Sequence, residues 1–455
     1  MASIAFLTLG CKLNYSETST YERGFVNAGW EVVKPAGRAD VYLVNTCSVT
    51  ATSDAKSRNL IRKVHRVNPD AAIIVTGCSA ELRRSELSAI EGVTRVFGAL
   101  EKSLVVPETI EILSRPERHS PGSVCELTVA QSSARSEMSC PTRHFPKSIG
   151  TEDRTSPTQP QIDTVFAAYS TGERTRSFLK VQDGCNNYCA YCTVPYARGG
   201  SRNVPICECV RNARAIALTG AKEIVLTGVN TGDFGRTTGE SFLDLLKALH
   251  TVEGIERYRI SSIEPNLLTQ EIIDWIATEG LKFQPHFHIP LQSGSDEILK
   301  AMGRHYDTAF FADRIESVRK AMEHPGGLKV FFGIDLMTGL PGETERHFAE
   351  TVDFLKRVKP AFIHVFPYSR RPGTPAASMP GQVPEQVKAE RVKFLEELCR
   401  QFHDDFVAAH RGMSASVLFE SKDKDGMMSG YTQNYIRVQR PFDTAMVGNI
   451  IEITI

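Results

Sequence analysis

Residues 178–192 read Phe178-Leu179-Lys180-Val181-Gln182-Asp183-Gly184-Cys185-Asn186-Asn187-Tyr188-Cys189-Ala190-Tyr191-Cys192. A short, mainly apolar run, Phe178–Val181, ends in polar residues and a glycine, and three cysteines follow at CxxxCxxC spacing. Such a run predicts a buried strand that delivers its last residues into a tight loop. Three thiolates on one loop can hold three irons of a 4Fe-4S cube and leave the fourth iron open. An open iron is what a cluster needs if it is to bind and reduce a cofactor rather than only pass electrons. The alternative is zinc, but a closed structural zinc site normally wants a fourth Cys or His. The nearest candidates are Cys207 and Cys209. Tyr191 places an aromatic ring beside the last cysteine.

Outward from this loop the strand–helix alternation repeats. Strands are expected at Phe178–Val181, Glu223–Leu226, Arg257–Ile260, Phe287–Leu291, Val330–Asp335 and Phe362–Val365. Each runs into polar or glycine-rich residues, among them Gly228-Val229-Asn230, Ser262-Ile263-Glu264-Pro265 and Gln292-Ser293-Gly294-Ser295. Chemistry placed beyond the C-terminal ends of successive parallel strands is the pattern of a β/α barrel. Six units rather than eight predict a partial (β/α)6 barrel over 165–412, with an open side that admits a large substrate.

Residues 1–113 carry a second, more dispersed constellation. Apolar runs at Ile4–Leu9, Val41–Val44, Ala72–Val75 and around Val96-Phe97 alternate with amphipathic stretches at Glu17–Asn27, Thr52–Val67 and Leu82–Ile90. That alternation predicts an open, mostly parallel α/β sheet wrapped on both faces. Cys11, Cys47 and Cys78 each follow one of the runs. Ligands gather at the carboxyl edge of such sheets, so the three cysteines are expected to converge there. Three unrelated core cysteines are the plainer alternative. If the three do converge, they too leave an iron open, which could hold a sulfur atom for transfer.

The remaining segments differ in character. From 114 to 164 the chain is rich in Ser, Thr, Pro and Arg, and a mobile linker is expected, with Cys125 and Cys140 as bystanders. From 413 to 455 short strands at Ser416–Glu420, Tyr435–Val438 and Asn449–Ile455, with turns at Asp425-Gly426 and Ser429-Gly430, predict a small β-barrel. Lys plus Arg and Asp plus Glu number 53 each, so any nucleic-acid surface must be a local patch. No apolar run reaches the roughly 18 residues of a membrane span. Eleven cysteines without a basic leader argue for thiolates used as ligands in a reduced, cytoplasmic protein rather than for a disulfide framework. His286 and His288 share one side of a strand and are expected to pack or hydrogen-bond. Cys207 and Cys209, at a helix start, and Cys399, within a helix, have no third ligand nearby and no assigned role.

The CxxxCxxC loop after the first barrel strand resembles the signature of the radical S-adenosylmethionine superfamily. That resemblance implies S-adenosylmethionine on the open iron, reductively cleaved to a 5′-deoxyadenosyl radical. It places Tyr191, Gly228, Asn230, Ser262, Glu264 and Gln292 around the cofactor. Gly200 stands where an arginine would be expected after such a loop. With Cys11, Cys47 and Cys78 in front and a TRAM-like module behind, nearly the whole chain except the linker resembles the methylthiotransferases. Its words Thr8-Leu9-Gly10-Cys11-Lys12-Leu13-Asn14, Asn45-Thr46-Cys47-Ser48-Val49-Thr50 and His364-Val365-Phe366-Pro367-Tyr368-Ser369 look most like the branch acting on threonylcarbamoyladenosine. The resemblance implies two 4Fe-4S clusters, S-adenosylmethionine, a tRNA anticodon loop as partner, and an electron donor such as flavodoxin or ferredoxin. Radical chemistry suits an aromatic C–H bond, which offers no acidic proton for acid–base catalysis. Isopentenyladenosine or a ribosomal-protein aspartate are the alternative substrates within the family. An iron–sulfur electron carrier and a zinc-stabilised RNA-binding protein are the alternatives outside it.

Overall fold

The computed structural model describes residues 1–114, 165–171, 175–422 and 425–455. The expectations for the linker, with Cys125 and Cys140, lie outside the described residues. In the N-terminal part, β1 (Ser3–Thr8), β2 (Glu31–Val33), β3 (Val41–Thr46), β4 (Ala72–Gly77) and β5 (Val93–Val96) form one sheet in the order β2-β1-β3-β4-β5. Every pairing in it is parallel. The chain steps outward from β1 to β2 and then returns to β3, so the order reverses between β1 and β3. The crevice at such a reversal is where open α/β sheets bind ligands.

Central strand β3, Val41-Tyr42-Leu43-Val44-Asn45-Thr46, is buried at every residue. Its side chains alternate between two cores. Tyr42 and Val44 join Ile61, Ile73 and Val75 on one face, while Val41 and Leu43 join Ile4, Tyr21, Phe25 and Ile74 on the other. Two details differ from the sequence reading. Strand β2 was not anticipated, because three partly exposed residues carry too little periodicity. The single helix expected at Leu82–Ile90 is split into Cys78–Leu82 and Arg84–Ser88. Arg83, between them, leaves helical geometry (φ −137°) and pairs with Asp54 (3.2 Å) and Glu86 (3.1 Å).

The six expected barrel strands are present: β6 (Arg176–Lys180), β9 (Glu223–Thr227), β10 (Arg257–Ile260), β11 (His286–Gln292), β12 (Phe331–Thr338) and β13 (Phe362–Pro367). They run parallel as β6-β9-β10 and β11-β12-β13, joined by parallel bridges Tyr258–Phe283 and Ser262–His288. Two short strands, β7 (Gln182–Asp183) and β8 (Arg202–Asn203), pair antiparallel and close the ends of the cysteine loop against each other. One large apolar core, with Leu179, Leu226, Tyr258, Ile289 and Ile334 from five of the strands, lies against the surrounding helices.

The C-terminal strands β14 (Ser414–Lys422), β15 (Met427–Thr432), β16 (Arg437–Pro441) and β17 (Ile450–Thr454) form a four-stranded antiparallel sheet in the order β16-β15-β14-β17. This is the all-β module expected, seen as a sheet rather than as a closed barrel. Ser429-Gly430 is not a turn but lies inside β15. Gly430 serves close packing instead: a Cβ there would stand 2.5 Å from Val417 Cγ1. The sheet is fastened to the barrel by arginines. Arg257 Nη2 donates to Ser416 O (2.7 Å), Arg259 to Thr432 O and Gln433 O (2.8 Å each), and Arg176 to Glu420 (2.9 Å). No helix among the described residues is long and apolar enough to cross a membrane.

Candidate active site: two three-cysteine sets at strand ends

Cys185, Cys189 and Cys192 lie on one loop between β7 and the helix Val194–Arg198. Glycine is required at its start. Gly184 has φ +74°, and a Cβ there would lie 2.0 Å from Gly200 O, so the loop's two ends touch backbone to backbone. Gly200, the departure from the expected arginine, belongs to this contact. Cys185 N donates to Gly199 O (3.1 Å) and Ser201 N to Asn186 Oδ1 (2.9 Å). The thiols are held by donors aimed at sulfur: Asn187 N to Cys185 (3.5 Å), Val194 N to Cys192 (3.4 Å) and Arg304 Nη1 to Cys189 (3.1 Å). Burial pushes the Cys185 thiol up to about 11 and Cys192 up to about 12, and neighbouring loop thiols push in the same direction. Three convergent, desolvated sulfurs are a donor set suited to a cationic cluster, whose charge favours the thiolate form.

Of the predicted cofactor-lining residues, Tyr191 lies on this loop, and Asn230 and Glu264 are tied to it through Gln182 and Arg304. Gln182 joins two strand ends: its Nε2 donates to Gly184 O (2.7 Å), and its Oε1 accepts from Val229 N (2.9 Å) and Asn230 N (3.0 Å). Gly228 fits beneath it, since a Cβ there would come within 2.9 Å of Gln182 Oε1. Asn230 Oδ1 accepts from Glu264 N (3.3 Å), and Ser262 O accepts from Thr231 N (3.0 Å). Glu264 Oε1 pairs with Arg304 Nη2 at 2.6 Å, while its buried Oε2 has no partner. Tyr191 OH also accepts from Arg304 (3.4 Å). Gln292 ends β11 with φ +70°, a left-handed conformation that costs a non-glycine residue about 1–3 kcal/mol. A buried carboxylate oxygen without a donor and a strained strand end mark this rim as suited to a polar ligand.

The second set converges as well. Cys11, Cys47 and Cys78 follow β1, β3 and β4, and the topological switch point lies between the first two of these strands. Gly10 (φ +106°) brings its backbone against Cys47: a Cβ there would lie 2.9 Å from Cys47 Cβ and 3.2 Å from its sulfur. Gly77 (φ +100°) admits no Cβ, which would fall 2.3 Å from Thr46 O. Asn14 ties the loops, its Nδ2 donating to Leu9 O (2.7 Å) and Thr46 O (3.0 Å). Burial raises the Cys47 and Cys78 thiols; Cys78 and Cys11 push Cys47 further up, whereas the Arg198 guanidinium pulls Cys78 partly back against Cys11. Cys11 is exposed, Cys47 buried and Cys78 intermediate, so the set opens to one side.

A buried polar cluster joins the two sets, and sequence reasoning missed it. Arg198, six residues after Cys192, donates from Nε to Cys78 Sγ (3.2 Å), from Nη2 to Asn14 Oδ1 (2.7 Å), and from Nη1 to Asp183 (2.9 Å) and Glu17 (3.2 Å). Glu17 also receives Lys102 and Lys180 at 2.8 Å each, and Lys180 reaches Asp183 at 2.6 Å. All five ionic side chains are at most 5% exposed. A second contact joins the two parts through Arg371 and Asp54 (2.5 Å). His286 packs on Phe331 and Tyr435, and His288 bonds Asp335 (2.9 Å), so the pair does not converge on one point. Cys209 and Cys399 are buried in helices and donate to Val204 O (3.5 Å) and Ile363 O (3.4 Å); Cys207 lies in the same helix as Cys209 and is exposed.

Residues 179–355 match the Radical SAM superfamily, and residues 3–98 match a family described as Uncharacterized protein family UPF0004. The chain is 39% identical, over 100% of its length and 94% of the relative's, to the threonylcarbamoyladenosine tRNA methylthiotransferase MtaB of Bacillus subtilis. It belongs to the radical S-adenosylmethionine methylthiotransferases. Another member, MtaB of Aquifex aeolicus, is 34% identical over 99% of this chain and 100% of its own. A member of the other tRNA branch, the tRNA-2-methylthio-N(6)-dimethylallyladenosine synthase of a Wolbachia species, is 30% identical over 97% and 92%. Among solved structures, the radical S-adenosylmethionine methyltransferase TsrM of Kitasatospora setae shares the fold (TM-score 0.55, 14% identity, 83% of this chain and 75% of that one). As a member of this superfamily the chain uses S-adenosylmethionine and a 4Fe-4S cluster.

Proposed function

We propose that this chain is a tRNA methylthiotransferase that converts N6-threonylcarbamoyladenosine beside the anticodon to its 2-methylthio derivative. The observation that carries this reading is the pairing of two three-thiol sets at strand ends, joined by one buried arginine, Arg198, that bonds Cys78 of the first set and Asp183, two residues before Cys185, of the second. The name borne by relatives that span the whole chain supports the substrate.

In this reading Cys185, Cys189 and Cys192 hold the first 4Fe-4S cluster and Cys11, Cys47 and Cys78 a second. Together with bound S-adenosylmethionine, these groups supply the electron transfer, the radical chemistry at C2 of the adenine and the sulfur that is donated. The chain itself supplies position. Arg304 fixes the Cys189 sulfur and the Glu264 carboxylate together. Gln182 locks the cysteine loop to Val229 and Asn230, so the cofactor-lining residues Tyr191, Gly228, Asn230, Ser262, Glu264 and Gln292 form one rim. Arg198 holds Cys78 and Asn14 against the barrel and keeps water from the space between the sites. The target base must leave its stack to reach this rim, which an anticodon loop permits at low cost. The domain division is 1–113, 165–412 and 413–455, with the last closing as a TRAM-like module on the RNA backbone. The protein works in the cytoplasm and takes electrons from a flavodoxin- or ferredoxin-type donor.

The test is anaerobic reconstitution of wild type, Cys11→Ala and Cys189→Ala, with iron, sulfide and 5′-deoxyadenosine measured. About eight irons falling to about four in each variant, with 5′-deoxyadenosine lost only in Cys189→Ala, is the expected result. Zinc in place of iron, or iron unchanged by Cys11→Ala, refutes it. Comparing tRNA nucleosides from cells with and without the gene separates the threonylcarbamoyl from the isopentenyl substrate.

A further inference from the structure

The barrel holds a polar group that the reaction as described does not use. His288 on β11, Asp335 on β12 and His364 on β13 occupy adjacent parallel strands, and their ligating atoms lie within 4.8 Å of one another. His288 Nε2 bonds Asp335 Oδ2 at 2.9 Å, and the His288 and His364 rings are 5.1 Å apart. From the other part of the chain comes Lys12, the residue after Cys11. Its side chain is exposed, yet its ammonium is in electrostatic reach of Arg176, Arg259, Asp335 and Tyr435, and it is felt in turn by His286 and His364. A side chain that is open to solvent while barrel residues surround it lines a recess.

The charges in this recess are unevenly satisfied. Glu223 takes Arg259 (2.8 Å), Glu420 takes Arg176 (2.9 Å), and Asp335 takes His288 (2.9 Å). Lys12 makes no hydrogen bond or ion pair among the described residues, and neither does the His364 ring. A metal ion at the His288–Asp335–His364 group would face the ammonium of Lys12 and the nearby guanidinium groups of Arg176 and Arg259. With both arginines already paired and Asp335 bonded to His288, the Lys12 ammonium is the charge left uncompensated, and it favours an anion. Lys12 and His364 come from two segments far apart in the sequence, Thr8–Asn14 and His364–Ser369, and the fold brings the charge of the one within reach of the ring of the other.

We propose that Lys12 and His364 form the subsite for the carboxylate of the threonylcarbamoyl substituent, with His288, oriented by Asp335, as its neighbouring polar contact. This rests on the substrate reading above and deepens it. The substituent hangs from N6, close to C2 on the same edge of the adenine ring. A base whose C2 is presented beside Cys11 therefore puts its substituent within reach of residue 12. An isopentenyl group carries no charge and would leave the Lys12 ammonium unpaired, so the subsite selects as well as binds.

The test uses the reconstituted full-length enzyme and three anticodon stem-loop RNAs, carrying threonylcarbamoyladenosine, its carboxyl methyl ester, or unmodified adenosine. Wild type should bind the acid more tightly than the ester by roughly ten- to a hundredfold, the range of one or two charge-assisted hydrogen bonds. Lys12→Gln should bring that ratio close to one, and His364→Gln should reduce it, with iron content and affinity for the unmodified RNA unchanged. Retained acid-over-ester preference in both variants overturns the subsite while leaving the substrate reading intact. A wild type indifferent to the substituent overturns both. A stoichiometric zinc in the holoenzyme that disappears in His364→Gln assigns the group to a metal and overturns the proposal.

Discussion

Replacing Glu17 by Gln should open the seam between the N-terminal sheet and the barrel. Glu17 is 1% exposed, and its Oε1 receives Lys102 (2.8 Å), Lys180 (2.8 Å) and Arg198 (3.2 Å). Removing its charge leaves three buried cations facing Asp183 alone. Breaking a buried ion pair from one side costs about 3–5 kcal/mol, because the surviving charge stays desolvated. The amide oxygen of Gln can still accept one hydrogen bond, which places the expected cost near the lower end. The assay is amide hydrogen exchange across the helix Lys12–Asn27 and strand β6, which meet at this seam. Protection there should fall by roughly two to three orders of magnitude, while β14–β17 amides keep theirs. The loss should be the same at low salt and at about 0.5 M, since a buried network is little screened. A fall below about tenfold, or one that fades with salt, would refute the view that these charges are desolvated and hold the two parts together.

The same network sets an acid limit. Burial alone would raise Glu17 and Asp183, but Lys102, Lys180 and Arg198 hold both below the usual carboxylate range. A depressed folded pKa contributes stability above the unfolded value and loses it as pH falls through the folded one. The seam should therefore stay closed at pH 5 and open only below the ordinary carboxylate range; exchange protection lost already between pH 6 and 5 would contradict this. Asn14→Ala removes the amide that ties the Cys11 and Cys47 loops, so iron per chain after reconstitution should drop towards about four, with 5′-deoxyadenosine formation retained. Gly184→Ala puts a methyl 2.0 Å from Gly200 O and forces a left-handed residue, so it should abolish assembly at Cys185–Cys192 while the Cys11 set still loads; normal iron content would count against the loop geometry.

What could be read from the sequence followed a physical boundary. Cysteines 11, 47, 78 and 185 each follow an apolar run after one to three intervening residues, and a parallel strand delivers its last residue to a known edge. Their convergence therefore follows from local pattern plus topology. The six barrel strands were legible for the same reason. Arg198 was not, because its contact with Cys78 spans 120 residues and exists only once two domains have docked. Nothing in Ala197-Arg198-Gly199 distinguishes it from a surface arginine. Lys12 and His364 stood in words already singled out, yet a word does not say which of its residues face a common recess. Gly430 misled in the other direction: next to Ser429 it reads as a turn, whereas the structure uses its missing side chain to let Val417 approach. The helix break at Arg83 likewise depends on Asp54, a partner that periodicity cannot see.

The spacing between the two cysteine sets is fixed by rigid elements rather than by loops. Cys11 caps the helix Lys12–Asn27, whose second turn carries Glu17. Glu17 is bonded to Lys180 at the end of β6, and only four residues then separate Lys180 from Cys185. From the other side, Cys192 leads directly into the helix Val194–Arg198, whose last residue returns to Cys78. A closed circuit of helix, ion pair, strand, loop and helix therefore passes through both sites. Sites built on helices and strands hold their geometry better than sites on free loops. Two cysteine sets acting on one base, as proposed above, need that precision. It also explains why the charged cluster is buried at the seam despite its desolvation cost. An apolar seam would bind the two parts as well, but it would lack Arg198, which bonds both Cys78 of the first part and Asp183, the acid preceding the cysteine loop of the second.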